Sequence, residues 1–259
     1  MASLFVLACN NEKDKEAESK VTFRDLESEN LKGDISSAEE TPYKTDSTGK
    51  IGEMDSCCVS ITEYDENGNG IKQVSKDSKG TLSSESVLTR HPNGLFKSIS
   101  STAKGKSTGG FETKIDDKGI VTWAGEIDSN GKAGVYYTSI TQNEVGEVTG
   151  WKQFDKDSVL RLMGESTYDK HLFMGSTTKD SVGKVKNSSS AKYNDKGEQI
   201  EFSNTSVTKD SSTTKVTKYT YDSHDDNGNW TQRTTWDDKG KATKIVKRTY
   251  AYRSKEEKK

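Results

Sequence analysis

The stretch with the most chemical promise is EYDENGNGIK, Glu63 to Lys72. Asp65, Asn67 and Asn69 stand at alternate positions and Gly70 follows, which is how an EF-hand calcium loop begins. Such a loop needs a bidentate Glu at its twelfth position; here that position is Lys76, whose charge opposes a cation. The same residues also suit a tight turn between strands, because Asn and Gly tolerate left-handed backbone. The turn accounts for every related stretch of the chain and calcium for only this one. Calcium at Asp65, Asn67 and Asn69 is therefore the weaker reading, and no other cofactor is expected. The three histidines, His91, His171 and His224, each fall in a turn-like stretch and read as solvated polar residues. Adjacent Cys57 and Cys58 lie in an alternating stretch, so their side chains should point to opposite faces; they read as two free thiols, one of them buried.

Enzyme signatures are lacking. The sequence has no GxSxG, HExxH or phosphate loop and no paired-carboxylate motif, so no enzymatic activity is expected. The aromatic residues offer more. Trp123, Tyr136, Tyr137, Trp151, Trp230, Trp236, Tyr250 and Tyr252 are spread along strand-like segments, where cross-strand packing is their ordinary use. The alternative is an exposed strip that stacks on sugar rings or on a protein partner. Six residues separate Trp230 from Trp236, which puts both on one face of a regular strand. With Tyr250 and Tyr252 they form the candidate contact surface.

These residues must be positioned by strands. The chain of 259 residues is 31% charged and 29% hydrophobic, yet its net charge is only -2, so charge repulsion does not force it to expand. Leu, Ile, Val and Phe make up about a sixth of it, which predicts a thin core under much polar surface. The charge balance gives no reason to expect nucleic acid. Stretches of one form recur from residue 44 to 252: an apolar residue or Thr, then Asp or Asn, two or three polar residues, Gly, and a return to apolar. Examples are SKDSKGTL, KIDDKGIV, KYNDKGEQI and TWDDKGKATKI. Short alternating segments closed by such turns predict an antiparallel meander of about fifteen strands. Neither face of these strands is uniformly apolar, which suggests an extended or curled sheet exposed on both sides for part of its length. In ESKVTFRDLESENLKG one short helical turn is the most that can form.

The repeats resemble the YD, or Rhs-type, repeat family, whose signature is Tyr-Asp-x-x-Gly-Asn between strands. TYDSHDDNGNWTQRTTWDDKGK (220–241) is the best match and EYDENGNGIKQ (63–73) the next. In large members of that family the repeats spiral into a shell around a toxin. This chain is too short for that role, and the shell function is not implied for it.

At the start, Val6-Leu7-Ala8-Cys9 resembles the lipobox of bacterial lipoproteins, in which the cysteine becomes the acylated N-terminus. The polar stretch that follows suits a tether leaving a membrane surface. Together with the repeats, this looks like a Bacteroides-type secreted lipoprotein. The expected organisation is a signal remnant at 1–9, a charged flexible tether at 10–30, a β-repeat domain at 31–254 and a charged tail at 255–259. The resemblance implies lipid attachment at Cys9 and a place in the bacterial cell envelope, at the outer membrane or the cell surface. The functional expectation is a non-enzymatic binding or scaffold module, attached to a membrane through its lipid. Glycan binding through exposed aromatics is the first alternative and an uncharacterised enzyme the second.

Overall fold

The computed structural model describes residues 24–56, 58–209 and 211–254. One short helix, α1 (Asp25–Ser28), precedes seventeen strands. The first nine are β1 (Ile35–Thr45), β2 (Ile51–Met54), β3 (Val59–Tyr64), β4 (Gly70–Lys76), β5 (Leu82–Arg90), β6 (Phe96–Ala103), β7 (Lys106–Ile115), β8 (Val121–Ile127) and β9 (Ala133–Gln142). The others are β10 (Val148–Phe154), β11 (Leu160–Asp169), β12 (Leu172–Asp180), β13 (Val185–Tyr193), β14 (Gln199–Val207), β15 (Ser212–His224), β16 (Trp230–Trp236) and β17 (Ala242–Tyr252).

From β3 onward each strand pairs antiparallel with the next. β1 then closes the ring. Ser37–Glu40 pairs with β3 on one edge, and on the other edge β1 pairs with β17 from Ile35↔Tyr252 to Tyr43↔Ile245. Only β2 stands outside the ring, paired to the end of β1 through Tyr43↔Met54 and Thr45↔Ile51. Seventeen strands less β2 leave a closed barrel of sixteen. The all-β antiparallel order agrees with the sequence expectation, but the extended or curled sheet does not. Pairing through β1 uses both free edges of the meander and abolishes them.

The hairpin turns follow one design. At Asp46, Asp65, Asp77, Asp116, Asp128, Asn143, Asp155, Asp180, Asn194, Asp225 and Asp237, side-chain Oδ1 accepts the amides two and four residues on. In the first strong copy the Asp65 amide donates to Asn69 O (2.8 Å), and Gly68 takes φ +83°. This is a three-residue loop with a bulge whose glycine must be left-handed.

Successive turns alternate between the two rims of the barrel, and the rims differ. At one, the residue after the turn glycine is Asn69, Leu95, Ile120, Glu147, Glu198 or Asn229, and all but half-buried Ile120 are buried. At the other, the equivalent residues are Lys50, Thr81, Lys132, Val159, Lys184 and Lys241, all exposed.

The difference arises because residues 24–34 plug the first rim. Leu26 N donates to Gly68 O (3.1 Å). Asp25 pairs with Arg90 and accepts the Gly70 amide at 2.7 Å. Asn30 donates to Lys196 O (2.9 Å), and Asn229 clasps the backbone N–H and C=O of Lys32, both at 2.8 Å. Leu26, Leu31, Ile35, Ala38 and Tyr64 form a small core beneath, with Tyr250 and Tyr252 packed against it. The four-residue helix is too short to stand on its own propensity and is held by these contacts. Residues 24–30 were expected in the flexible tether and instead belong to the fold. The rest of that tether, the signal remnant with Cys9, and the tail at 255–259 lie outside the described residues.

Cys58 is disulfide-bonded, which corrects the expectation of a free thiol there. It sits just before β3 at φ +72°, so the strand alternation assumed for Cys57 and Cys58 does not hold at this point. Cys57 lies outside the described residues.

The outer wall is charged. Ion pairs Lys72–Glu85 (2.9 Å), Lys192–Glu201 (2.8 Å) and Lys179–Glu165 (3.4 Å) bridge neighbouring strands, and Lys114 lies over Trp123 at 4.8 Å. A membrane-spanning barrel carries an outward apolar band, where charges are costly. Among the described residues no helix is long and apolar enough to cross a membrane.

Candidate functional site

A ring of sixteen strands encloses more space than its own side chains can fill. The plug lies across the rim, with its small core set against β1, β3 and β17. The sector walled by β6–β13 holds a cavity of about 570 Å³. That size falls within the range of small-molecule sites.

Inward positions of consecutive strands supply its wall: Phe96, Phe111, Ala124, Tyr137, Ile140, Val148, Trp151, Tyr168, Phe173 and Tyr193. The rings form a chain, with centroids 6.2 Å apart for Phe96–Phe111, 6.1 Å for Phe111–Tyr137 and 5.4 Å for Tyr137–Trp151. Tyr168 and Phe173 meet edge to face at 5.8 Å. The hydroxyls are tied back: Tyr137 OH accepts from Gln153 Nε2 and Tyr193 OH donates to Phe173 O, both at 2.8 Å. The cavity therefore sees ring carbon more than hydroxyl. Trp151 lies flat on Gly164, where a Cβ would fall 2.2 Å from the indole. Glycine is what lets that ring lie against the wall.

The end of the cavity under the plug is polar. Glu147, 6% exposed, follows the β9–β10 turn; its Oε2 accepts from Asn143 Nδ2 at 2.8 Å. Its Oε1 lies 3.5 Å from His171 Nδ1, and neither of these two buried atoms has a hydrogen bond. On its far side His171 Nε2 is 3.6 Å from Glu27 Oε2 of the plug. Burial and the nearby Glu147 charge hold the Tyr168 hydroxyl above its ordinary pKa. Gln142, Thr113 and Ser28 complete this end.

A second, smaller pocket of about 240 Å³ is polar and lies against the plug. Arg248, paired with Glu40, stacks 4.3 Å from the Trp230 ring centroid, and Arg233 lies 4.8 Å from it. His224 pairs with Glu198 nearby.

The residues singled out in the sequence are placed differently from expectation. Trp230 is buried, at 8% exposure, and not part of an exposed strip. Trp236 is half-buried, with its ring over Gly49 and Nε1 donating to Thr220 Oγ1 (3.0 Å). A register shift at Ser223/His224, opposite Gln232 and Trp230, leaves Thr231 as an extra residue in β16 and breaks the alternation that would align the two. Tyr250 OH donates to Trp230 O (3.0 Å), and burial pushes this hydroxyl up to about 12. Tyr252 OH donates to Asp225 and accepts from Asn229 Nδ2. At the calcium-like stretch, Asp65 Oδ1 is taken by the amides of Asn67 and Asn69, Asn67 is exposed, and Asn69 is buried at the plugged rim. That is the geometry of a hairpin turn. Among the described residues no group of three or more His, Cys, Asp or Glu is arranged to hold a metal ion. His171, expected from the sequence as a solvated turn residue, lies in the polar end of the cavity. Glu147 was not singled out. Its signal was available in the alternation of the residue after each turn glycine.

No protein-family model matches the chain, and no curated protein matches it. Among solved structures, it is similar to a porin-like protein from Bacteroides uniformis, at 14% identity and a TM-score of 0.53, over 84% of this chain and 98% of that one. A porin-like protein from Bacteroides vulgatus matches at 12% identity and a TM-score of 0.36, over 84% and 98% of the two chains. The Photorhabdus luminescens Tc holotoxin pore matches at 15% identity and 0.33, over 80% of this chain and 11% of that one. At these identities the first likeness is one of fold: the chain shares the barrel architecture of the Bacteroides uniformis porin-like protein.

Proposed function

We propose that this is a non-enzymatic, lipid-anchored protein of the bacterial cell envelope that holds a small apolar molecule inside its barrel. The aromatic cavity of about 570 Å³ carries the reading. Apolar surface kept unfilled inside a folded protein is favourable to cover, and a ligand that covers it gains the burial. The charged outer wall supports a barrel that stands in water beside a membrane, with Cys9 as its attachment. Binding inside the barrel is favoured over glycan capture on the outside, because Trp230, Trp236, Tyr250 and Tyr252 do not make an open aromatic surface.

The test is to purify the chain from its source under non-denaturing conditions and weigh it by native mass spectrometry. A bound organic molecule, released on unfolding, is expected. The companion measurement is 1,6-diphenylhexatriene fluorescence with the purified chain. Saturable binding at one site is expected, with emission of the cavity tryptophan Trp151 quenched by energy transfer to the probe. Absence of both results refutes the reading. Acylation of Cys9, read by mass spectrometry on shaved cells, tests the anchor separately.

A further inference from the structure

The chain has six arginines. Arg24, Arg90, Arg161, Arg248 and Arg253 are each ion-paired with a carboxylate. Arg233, which lines the smaller pocket inside the barrel, is in no ion pair among the described residues. We infer that this pocket binds a small monocarboxylate, held by the Arg233 guanidinium. A guanidinium withdrawn from bulk water needs acceptors and a counter-charge. β15 and β16 set this one between two rings: its central carbon lies 5.0 Å from the Tyr219 centroid and 4.8 Å from that of Trp230. Tyr219 is level with Thr235 and Trp230 with His224, so the rings stand on opposite sides of Arg233 along the strands. Rings so placed take the faces of a guanidinium and leave its edge for acceptors in its plane. Nε is covered and makes no hydrogen bond, which leaves the Nη nitrogens to meet a ligand. The Tyr221 hydroxyl, itself donating to Gln199 O at 2.8 Å, hydrogen-bonds Arg233 but brings no charge. A carboxylate is planar and takes two parallel N–H donors, which is what this edge offers.

The other charges of the pocket are committed. Arg248 pairs with Glu40 and lies 3.8 Å from Glu29. Glu198 pairs with His224 and accepts from Asn194 Nδ2 at 2.7 Å. Burial raises the Glu29 carboxyl above its ordinary value, toward its neutral form. Glu29 and Glu198 still stand in the wall, so a ligand with two negative charges is disfavoured against one with a single charge. A volume of about 240 Å³ suits a short acid and not a long-chain one. This pocket is not the aromatic cavity, and its test does not depend on what that cavity holds.

The experiment is a nuclear magnetic resonance titration of the full chain with sodium propionate, sodium sulfate or sodium chloride at matched ionic strength and mildly acidic pH. Propionate is expected to move one of the six arginine Nε–H resonances, that of Arg233, to saturation, and to leave the five ion-paired arginines in place. Saturation transfer from the protein to the propionate methyl group should accompany the shift. Arg233→Gln should weaken that binding about tenfold or more, the loss expected for hydrogen bonds to a charged group. If the variant fails to fold, the response of the unsubstituted chain decides. No saturable shift, or shifts spread over several arginines in proportion to salt, overturns the site. Sulfate moving the same resonance at a lower concentration than propionate overturns the choice of a monocarboxylate.

Discussion

A tryptophan counts for what lies on its faces. Trp230 is packed with Arg233 and Arg248, and its loss to alanine should cost about 3–5 kcal/mol, as for other large buried rings. Trp236→Ala should cost less, about 1–2 kcal/mol, since that ring is only partly buried. Urea unfolding of the two variants measures the contrast; equal, small losses would return both rings to a surface role. The sequence shows that these rings lie on a strand. It does not show the bulge beside Trp230, nor Arg248 arriving from the next strand. Gly164 is as hard to read. In RLMGESTY it looks like any small residue, yet it is the floor on which Trp151 lies. Gly164→Leu should drive the indole into the cavity, lowering probe affinity tenfold or more at a stability cost of about 1–3 kcal/mol, typical of overpacking. Near-ultraviolet circular dichroism would report the displaced ring.

The plug and the turns carry the next set of expectations. Leu26 is buried and meets Gly68, so Leu26→Ala should loosen residues 24–34 without unfolding the ring. Amide exchange should then rise at 65–70 and 194–198 and stay unchanged in the exposed turns at 128–132 and 180–184. Uniform acceleration would show that the plug and the barrel fold as one unit. Those exposed turns respond to acid. At Asp46, Asp77, Asp128 and Asp155, hydrogen bonds from the following residues hold the carboxyls below the ordinary aspartate range. A carboxyl lowered in this way favours the fold above the unfolded-chain pKa, and the benefit fades as pH falls through the lower folded value. The turns should therefore loosen below about pH 4. Asp77→Asn should remove that turn's share of the pH response and keep its hydrogen bonds, as Asn143 and Asn194 already do at their turns. Amide exchange between pH 3 and 6 measures it. The turn design was legible because each turn is local: acceptor, amides and left-handed glycine lie within five residues. The plug was not, because DLESEN is short, acidic and polar, and only its remote partners Gly68, Lys196 and Asn229 distinguish it from a tether.

Closure is a property of the whole molecule, and nothing within any one hairpin announces it. The strand count and antiparallel order follow from spacing. A ring differs from a sheet only in the pairing of β1 with β17, whose side chains meet across 215 residues, as when Ser36 Oγ donates to Ala251 O. The cavity was illegible for the same reason: Phe111, Trp151 and Tyr193 share an interior only once the ring is shut. That late contact also sets a timetable. Each hairpin can zip by itself, but the seam waits for the final strand, and distant pairings form slowly. Refolding should thus show fast recovery of β signal and a later step in which Trp230 fluorescence reaches its native value; a chain cut before β17 should stop at the first. Until that last strand pairs, both edges of the meander stay open, and each is a template for the wrong partner, another copy of the chain included.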